Sequence, residues 1–434
     1  MPTPSLILVP ARFKTGKLYT PLATTSGGVV LGASGDFNVT RATTATRVNA
    51  NGLIESVASG IPRLDYFASG GVVGCPALLV EPAATNGAPD VRYLRGPGLA
   101  TASGGPTITT GSTDFLAPDG TSGSITKYVG GAASGSVQNV FYNTFTPTIS
   151  AAGAYTFSLF VKAGATNPLN FCSLSFTQYA GGTGTASYFN LASGTALTTG
   201  ASIQNYGNGW YRIISAPYTI AAGDLVGNVV FNLAEGNNDV TWPASGALNL
   251  TAYAWGAQIE AGSIATSYIP TTTAAATRNA DVINLSGAVS GCIGQTEGTI
   301  YAEVDIRAFN VGFIATISDG TASNRIEFYK FTDSKIYFDR ISSTQSAATG
   351  LGSAVLTAGI FKVAVAYKSG DTTMYINGAQ VGTTQTQTFT FSSLTKINIG
   401  SSRSDGQAFN DRIRSAALYT TRLTNAELAA LTTL

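Results

Sequence analysis

The chain of 434 residues contains no histidine, 11% charged residues, 50 glycines and a net charge of +1. Without an imidazole there is no Ser–His–Asp triad, no Cys–His pair, no His-ligated zinc and no histidine general base. With 24 basic and 23 acidic residues and no basic stripe, the balance argues against nucleic acid as a partner.

A hydrophobic fraction of 44% is that of a globular protein, and the length suffices for roughly two or three domains. Cys75, Cys172 and Cys292 are far apart and lack Cys-x-x-Cys spacing. They read as isolated buried thiols, with no disulfide framework or thiolate metal site. Met1-Pro2-Thr3-Pro4 has no charged n-region, and the apolar run from Leu6 to Val9 is too short for a secretory signal. No run of about 18 apolar residues predicts a membrane-spanning helix. The expectation is a protein made in cytosol that reaches the outside by lysis, as a virus particle does.

Residues 1–90 hold half of the 16 prolines: Pro2, Pro4, Pro10, Pro21, Pro62, Pro76, Pro82 and Pro89. Proline removes a ladder donor and fixes φ, so an extended arm with short strands is predicted. Its apolar teeth, such as Leu53-Ile54 and Leu78-Leu79-Val80, suit contact with another subunit or a neighbouring domain. From 91 to 270 the apolar period becomes two. Strands are predicted over Tyr155 to Lys162, Asn170 to Gln178, Trp210 to Ile214, Val226 to Leu233 and Leu248 to Glu260. Turn clusters at Gly181 to Gly184 and Asn205 to Gly209 punctuate them, and the pattern implies a sandwich or jelly roll.

Residues 271–281 form a low-bulk linker before a second β body at 282–434. Its strand candidates are Thr299 to Arg307, Arg325 to Phe331, Lys335 to Ile341, Phe361 to Tyr367, Thr373 to Ile376 and Lys396 to Ile399. Asn377-Gly378 predicts a two-residue type I′ hairpin, which needs φ > 0 at both positions. Thr424 with Glu427 predicts a capping box opening a short helix, with Leu428 and Leu431 on one face. The fold class is therefore all-β: an extended N-terminal arm followed by two β-sandwich domains.

Several stretches resemble known families. Arg41 to Arg47 (Arg-Ala-Thr-Thr-Ala-Thr-Arg), Gly52-Leu53-Ile54-Glu55, Pro62-Arg63-Leu64-Asp65-Tyr66, Cys75 to Pro82 and Thr85-Asn86 occur in order. Together they resemble an N-terminal signature of tailed-bacteriophage virion proteins, among them tail-fibre, spike and head-fibre proteins. Phe157 to Ala163, Gly209 to Arg212, Trp255 to Glu260 and Ser267 to Pro270 resemble the carbohydrate-binding-module-like jelly roll of the same proteins. Tyr375 to Gly378, Ile399-Gly400, Ile413 to Tyr419 and Leu423 to Leu428 resemble a concanavalin A-like, laminin-G-type sandwich. The resemblances imply a particle component held to other virion proteins by its N-terminal region. A homo-oligomer, as a trimer, is suggested by the resemblance and by the proline-rich arm.

An enzyme would have to rely on carboxylates. Glu303 and Asp305 lie two apart on one strand face, as in the Glu-x-Asp-x-x-Glu strand of sandwich glycosidases. The third position is Ala308, so the second catalytic carboxylate is missing and no enzyme is expected. Glycan recognition instead needs aromatic faces and placed polar groups. Trp242 is the loop aromatic best suited to stacking, unless it folds back on the sandwich. Trp255 shares an alternating face with Tyr253, Ala257 and Ile259 and is expected in the core, and Trp210 is expected at the core or its rim. Arg403, Asp405, Gln407 and Asn410, in the loop from Ser401 to Asn410, are the candidate ligand groups at a sandwich end, against the alternative of a solvated connection. No ligand-dense Asp/Asn loop is present, so neither a metal nor a cofactor is expected. Two alternatives stay open, a purely structural head-fibre or capsid-decorating protein and a polysaccharide depolymerase.

Overall fold

The computed structural model describes residues 2–11, 13–19, 36–89, 107–130, 147–177, 179, 186–234, 236–238, 249–287, 290–342, 349–391 and 393–434. The protein is all-β, with one α-helix among the described residues. The Gly181 to Gly184 turn cluster lies outside them.

The jelly-roll region is two sheets face to face. Seven strands form one sheet, in which Gly153–Ala163 lies between Thr251–Ala261 and Trp210–Ile214. Four form the other, centred on Ala186–Asn190, Phe171–Thr177 and Asn228–Ala234. The period-two pattern explains the layering. Tyr155, Phe157, Leu159 and Val161 point into the core and meet Leu174, Phe176, Phe231 and Leu233 of the facing sheet. Phe160 points the other way, into a second cluster with Trp210, Tyr253, Trp255 and Tyr268 on the outer face.

That cluster corrects one expectation from strict alternation. Between Ser158 and Phe160 the register with Thr251–Ala261 shifts, and Gly256 takes φ +63. The bulge divides the strand's faces: Tyr253 and Trp255 stay on the outer face, while Ala257 and Ile259 turn into the core.

The C-terminal sandwich pairs an eight-stranded sheet with a nine-stranded one. The predicted hairpin joins Thr372–Ile376 to Ala379–Gln385, with Asn377 at φ 49 and Gly378 at φ 84. Thr424 caps the helix Asn425–Thr432, and its capping box with Glu427 is complete. Leu428 is buried beside Tyr301, Tyr375 and Tyr419, so the helix closes the outer face of the eight-stranded sheet.

The N-terminal segment is built into this second sandwich. Leu6–Leu8 and Gly71–Val80 both pair with Asp411–Tyr419, and Phe37–Thr40 pairs with Val282–Ser286. Its apolar teeth Leu6, Leu8, Phe37, Val39, Leu64, Leu78 and Val80 enter the common core. Pro62 and Pro82 stand just outside the strands, and Pro76 lies where the register of Arg63–Ala68 against Gly71–Val80 shifts. The hairpin tip beyond it faces solvent. Cys75 is therefore exposed, while Cys172 and Cys292 are buried as expected.

Charged residues of the signature hold the two sandwiches together. Arg63, with no exposed surface, binds Glu81 at 2.7 Å and also pairs with Asp281. Arg41 reaches Asp281 at 2.8 Å, and Arg278 reaches Glu81 at 2.9 Å. Arg307 bridges Glu81 and Asp411, at 3.6 and 2.8 Å, and Lys330 also binds Asp411. Arg412 meets Asp65 at 2.5 Å. On the jelly-roll side Ser267 donates its amide and hydroxyl to Glu81, at 2.8 and 2.7 Å. Arg278 and Asp281 come from the 271–281 segment, whose strand Ala276–Arg278 pairs with Ala84–Asn86. Buried charges persist only when paired and hydrogen-bonded, and here the partners come from every part of the chain.

Burial pushes the Glu81 carboxyl upward, but Arg278, Arg63, Arg307 and the Ser267 hydroxyl hold it well below its ordinary 4.5. The unfolded chain therefore binds this proton more tightly than the folded one. The stabilisation is complete above about pH 4.5 and drains away as the pH falls towards the folded value. Glu260 has the opposite sign: burial raises its carboxyl above 4.5, so the folded state gains stability as the pH falls through that window. Stability measured against pH should drop below about 4.5, and Glu81→Gln should flatten that acid limb. An unchanged limb in the variant would show that Glu81 is not its source.

Candidate functional site

The strand Lys396–Ile399 ends at a loop that folds back over the outer face of the nine-stranded sheet. It covers Thr316, whose hydroxyl donates to the Ser401 carbonyl at 3.1 Å, and Asn398, which reaches the Ser401 hydroxyl at 3.2 Å. Three of the four sequence-derived candidates in this loop have left-handed backbone: Asp405 at φ 63, Gln407 at φ 47 and Asn410 at φ 57.

The four side chains are used differently. Asp405 Oδ1 accepts from Asn398 at 2.5 Å, Asn284 at 3.0 Å and Lys396 at 3.1 Å. Burial would raise this carboxyl, and the Asn284, Asn398 and Lys396 donors hold it below its ordinary value. Asp405 thus anchors the loop. Arg403 is half-buried, with Nη1 3.6 Å from Glu327 on the sheet face. Gln407 is exposed, and its carbonyl accepts the Phe313 amide at 3.2 Å. Asn410 is buried; its carbonyl accepts from Arg307 at 3.3 Å, while its Oδ1 has no hydrogen-bond partner. Trp242 lies outside the described residues. Trp210 is buried, its indole donating to the Leu116 carbonyl at 3.0 Å.

Beside the loop runs a row of aromatic rings that single-residue reasoning missed. Phe313 and Tyr329 lie 5.2 Å apart, Tyr329 and Tyr337 stack at 5.5 Å, and Phe331 meets Tyr337 edge-on at 6.4 Å. Tyr329 and Tyr337 are cross-strand partners on Arg325–Lys330 and Ile336–Ile341. The available signal was the turn between these strands, which sets the two tyrosines equally far from its centre. The neighbouring edge strand contributes Gly352. A Cβ there would meet the Tyr337 ring at 2.6 Å, so glycine lets the ring lie over the strand.

Each phenol is tied to a carboxylate: Tyr329 donates to Asp339 at 2.7 Å and Tyr337 to Asp333 at 2.6 Å. Burial and then Asp339 raise the Tyr329 phenol, while Asp333 and then burial raise Tyr337. Both therefore remain protonated at neutral pH. Phe313 and Glu327 are buried, while the half-buried Tyr329 and Tyr337 offer stacking surface bordered by the fixed acceptors Asp333 and Asp339 and by the Arg403 cation. Such a surface can hold a polyhydroxylated ring by stacking and hydrogen bonds.

The carboxylates weighed for catalysis lie on the opposite sheet. Glu303 pairs with Arg414 at 2.8 Å, and Asp305, raised by burial, lies 3.8 Å from Arg412. The carbonyl of Ala308 accepts from Lys330 at 2.6 Å. Among the described residues no group of three or more Cys, Asp or Glu is placed to hold a metal ion, and no helix is long and apolar enough to cross a membrane.

No curated protein matches the chain. Among solved structures, the CBM40 module of the Ruminococcus gnavus IT-sialidase is 16% identical over 34% of this chain and 88% of its own, with a TM-score of 0.31. The leech intramolecular trans-sialidase is 15% identical over 34% of this chain and 26% of its own, at 0.31. A heptameric SAP-like pentraxin from Limulus polyphemus is 14% identical over 31% of this chain and 68% of its own, at 0.25. A sequence model of the Concanavalin A-like lectin/glucanases superfamily matches residues 277–429, and this part of the all-β chain is a concanavalin A-like sandwich.

Proposed function

We propose that the protein is a non-enzymatic component of a tailed-bacteriophage virion, a fibre or spike, that binds surface glycans through the outer face of its C-terminal sandwich. The observation that carries the glycan reading is the stacked pair Tyr329 and Tyr337 bordered by Asp333, Asp339 and Arg403. The lectin-superfamily match over 277–429 supports it. The virion reading is supported by the signature spanning residues 41–86. Since that segment's apolar teeth are spent inside the chain's own core, attachment to a particle would use the exposed hairpin tip around Val72 and Cys75. Display as a trimer on a particle would multiply a modest single-site affinity.

Binding of the full chain to an array of bacterial surface glycans tests the reading. Tyr337→Ala should weaken binding to the recognised glycan about tenfold, the equivalent of ~1.4 kcal/mol. Glycan binding by wild type that is untouched in Tyr337→Ala would move the site elsewhere. An inert wild type, even clustered on beads, would favour a purely structural head-fibre or decoration protein.

A further inference from the structure

A cleft of 440 Å³ opens between the hairpin Ala45–Val48/Ile54–Val57, the turn at 119–124 and the segment after Tyr268. We propose that this cleft is a second ligand site, for a neutral saccharide of one or two rings. It goes beyond the C-terminal face and does not depend on it.

The floor of the cleft is aromatic. Trp255 and Tyr268 line it with ring centres 4.5 Å apart. Both rings are braced from below by Phe160, at 5.3 and 6.1 Å. The Thr46 hydroxyl fixes the Tyr268 carbonyl at 2.5 Å. The volume falls in the range of small-molecule sites, roughly 300–1,000 Å³, and a braced floor binds without an ordering cost.

The walls carry the chemistry of a polyol site. Glu55 is held by Arg47 at 2.7 Å and Asn49 at 3.1 Å, and Asp119 accepts from the Thr121 amide and hydroxyl at 3.0 and 2.6 Å. Positioned carboxylates of this kind accept from ligand hydroxyls. Arg47 offsets Glu55, but the described lining residues include no Lys or Arg to meet a ligand anion, so a neutral glycan is favoured over an anionic one.

The second observation is Thr271. It lines the cleft, is 6% exposed, and its hydroxyl has no hydrogen-bond partner. A buried hydroxyl without a partner is costly, and a ligand hydroxyl or ring oxygen would satisfy it.

The test is equilibrium binding of the full chain to maltose, cellobiose, lactose and chitobiose, with digalacturonate as the anionic control. At least one neutral disaccharide should bind, and digalacturonate should not. Thr271→Val, which keeps the shape and removes the hydroxyl, should weaken binding roughly two- to tenfold. Ser122→Phe, at an exposed rim position, should abolish it and carries the test if Thr271→Val fails to fold. Tyr337→Ala should leave this binding unchanged. The inference is overturned if no neutral disaccharide binds at millimolar concentration, or if both cleft variants bind as wild type does. Loss of disaccharide binding only in Tyr337→Ala would also overturn it, while leaving the C-terminal face as the glycan site.

Discussion

Arg63→Met should destabilise the protein by about 3–5 kcal/mol, the cost of removing one partner from a buried ion pair. Arg63 has no exposed surface and serves both Glu81 and Asp281, so its loss leaves two buried carboxylates short of a counter-charge. Arg47, from the same signature, is the internal control. Its pair with Glu55 is partly exposed on both sides, and Arg47→Met should cost no more than about 1 kcal/mol. Denaturant titration of the two variants checks this. Because the network joins the sandwiches, Arg63→Met should also separate their unfolding into two transitions. Equal costs for Arg63→Met and Arg47→Met would contradict the assignment of the network as the joint.

Phe160→Ala should cost a similar ~3–5 kcal/mol, as for a large side chain deleted from a closed core. Phe160 is fully buried and meets Tyr206 at 4.9 Å, Trp255 at 5.3 Å and Tyr268 at 6.1 Å, with the Arg212 guanidinium 5.4 Å above its ring. It fastens the N-terminal hairpin to the jelly roll and supports the floor of the cleft. Near-UV circular dichroism should therefore lose aromatic signal at temperatures where the wild type retains it. A loss below about 1 kcal/mol would mean that the hairpin is held by other contacts.

What was legible in the sequence was local. Trp210–Ile214 and Lys396–Ile399 have the bounds predicted from their apolar alternation, and the capping box of Thr424 and Glu427 sits at the start of its helix. The Asn377-Gly378 turn follows from two residues that tolerate positive φ. What was hidden depends on distance and register. Arg41 meets Asp281 across 240 positions, and no spacing rule links such residues. The bulge at Gly256 reversed the faces of Ala257 and Ile259, since a single inserted residue inverts a period of two. In the loop from Ser401 to Asn410, the acidic residue that looked free for a ligand is bound to Asn284, which lies on a different strand. The tyrosine row needed a pairing register before Tyr329 and Tyr337 could be seen as neighbours.

The signature near the N-terminus has a structural meaning that its motif alone does not convey. Arg41, Arg63, Asp65, Glu81 and Asn86 are all buried, and each bonds to residues far along the chain. In this chain these residues dock two sandwiches into one body. The surfaces proposed to face glycans lie elsewhere, on the outer face of the C-terminal sandwich and in the cleft beside the hairpin.

Near-atomic imaging of purified virions from lysates that contain this chain tests the central claim most directly. The account predicts density for both sandwiches on the particle, with the hairpin tip around Cys75 towards the particle and the Tyr329–Tyr337 face towards solvent. Particles that lack the chain, or that bury the tyrosine face against the shell, would contradict it.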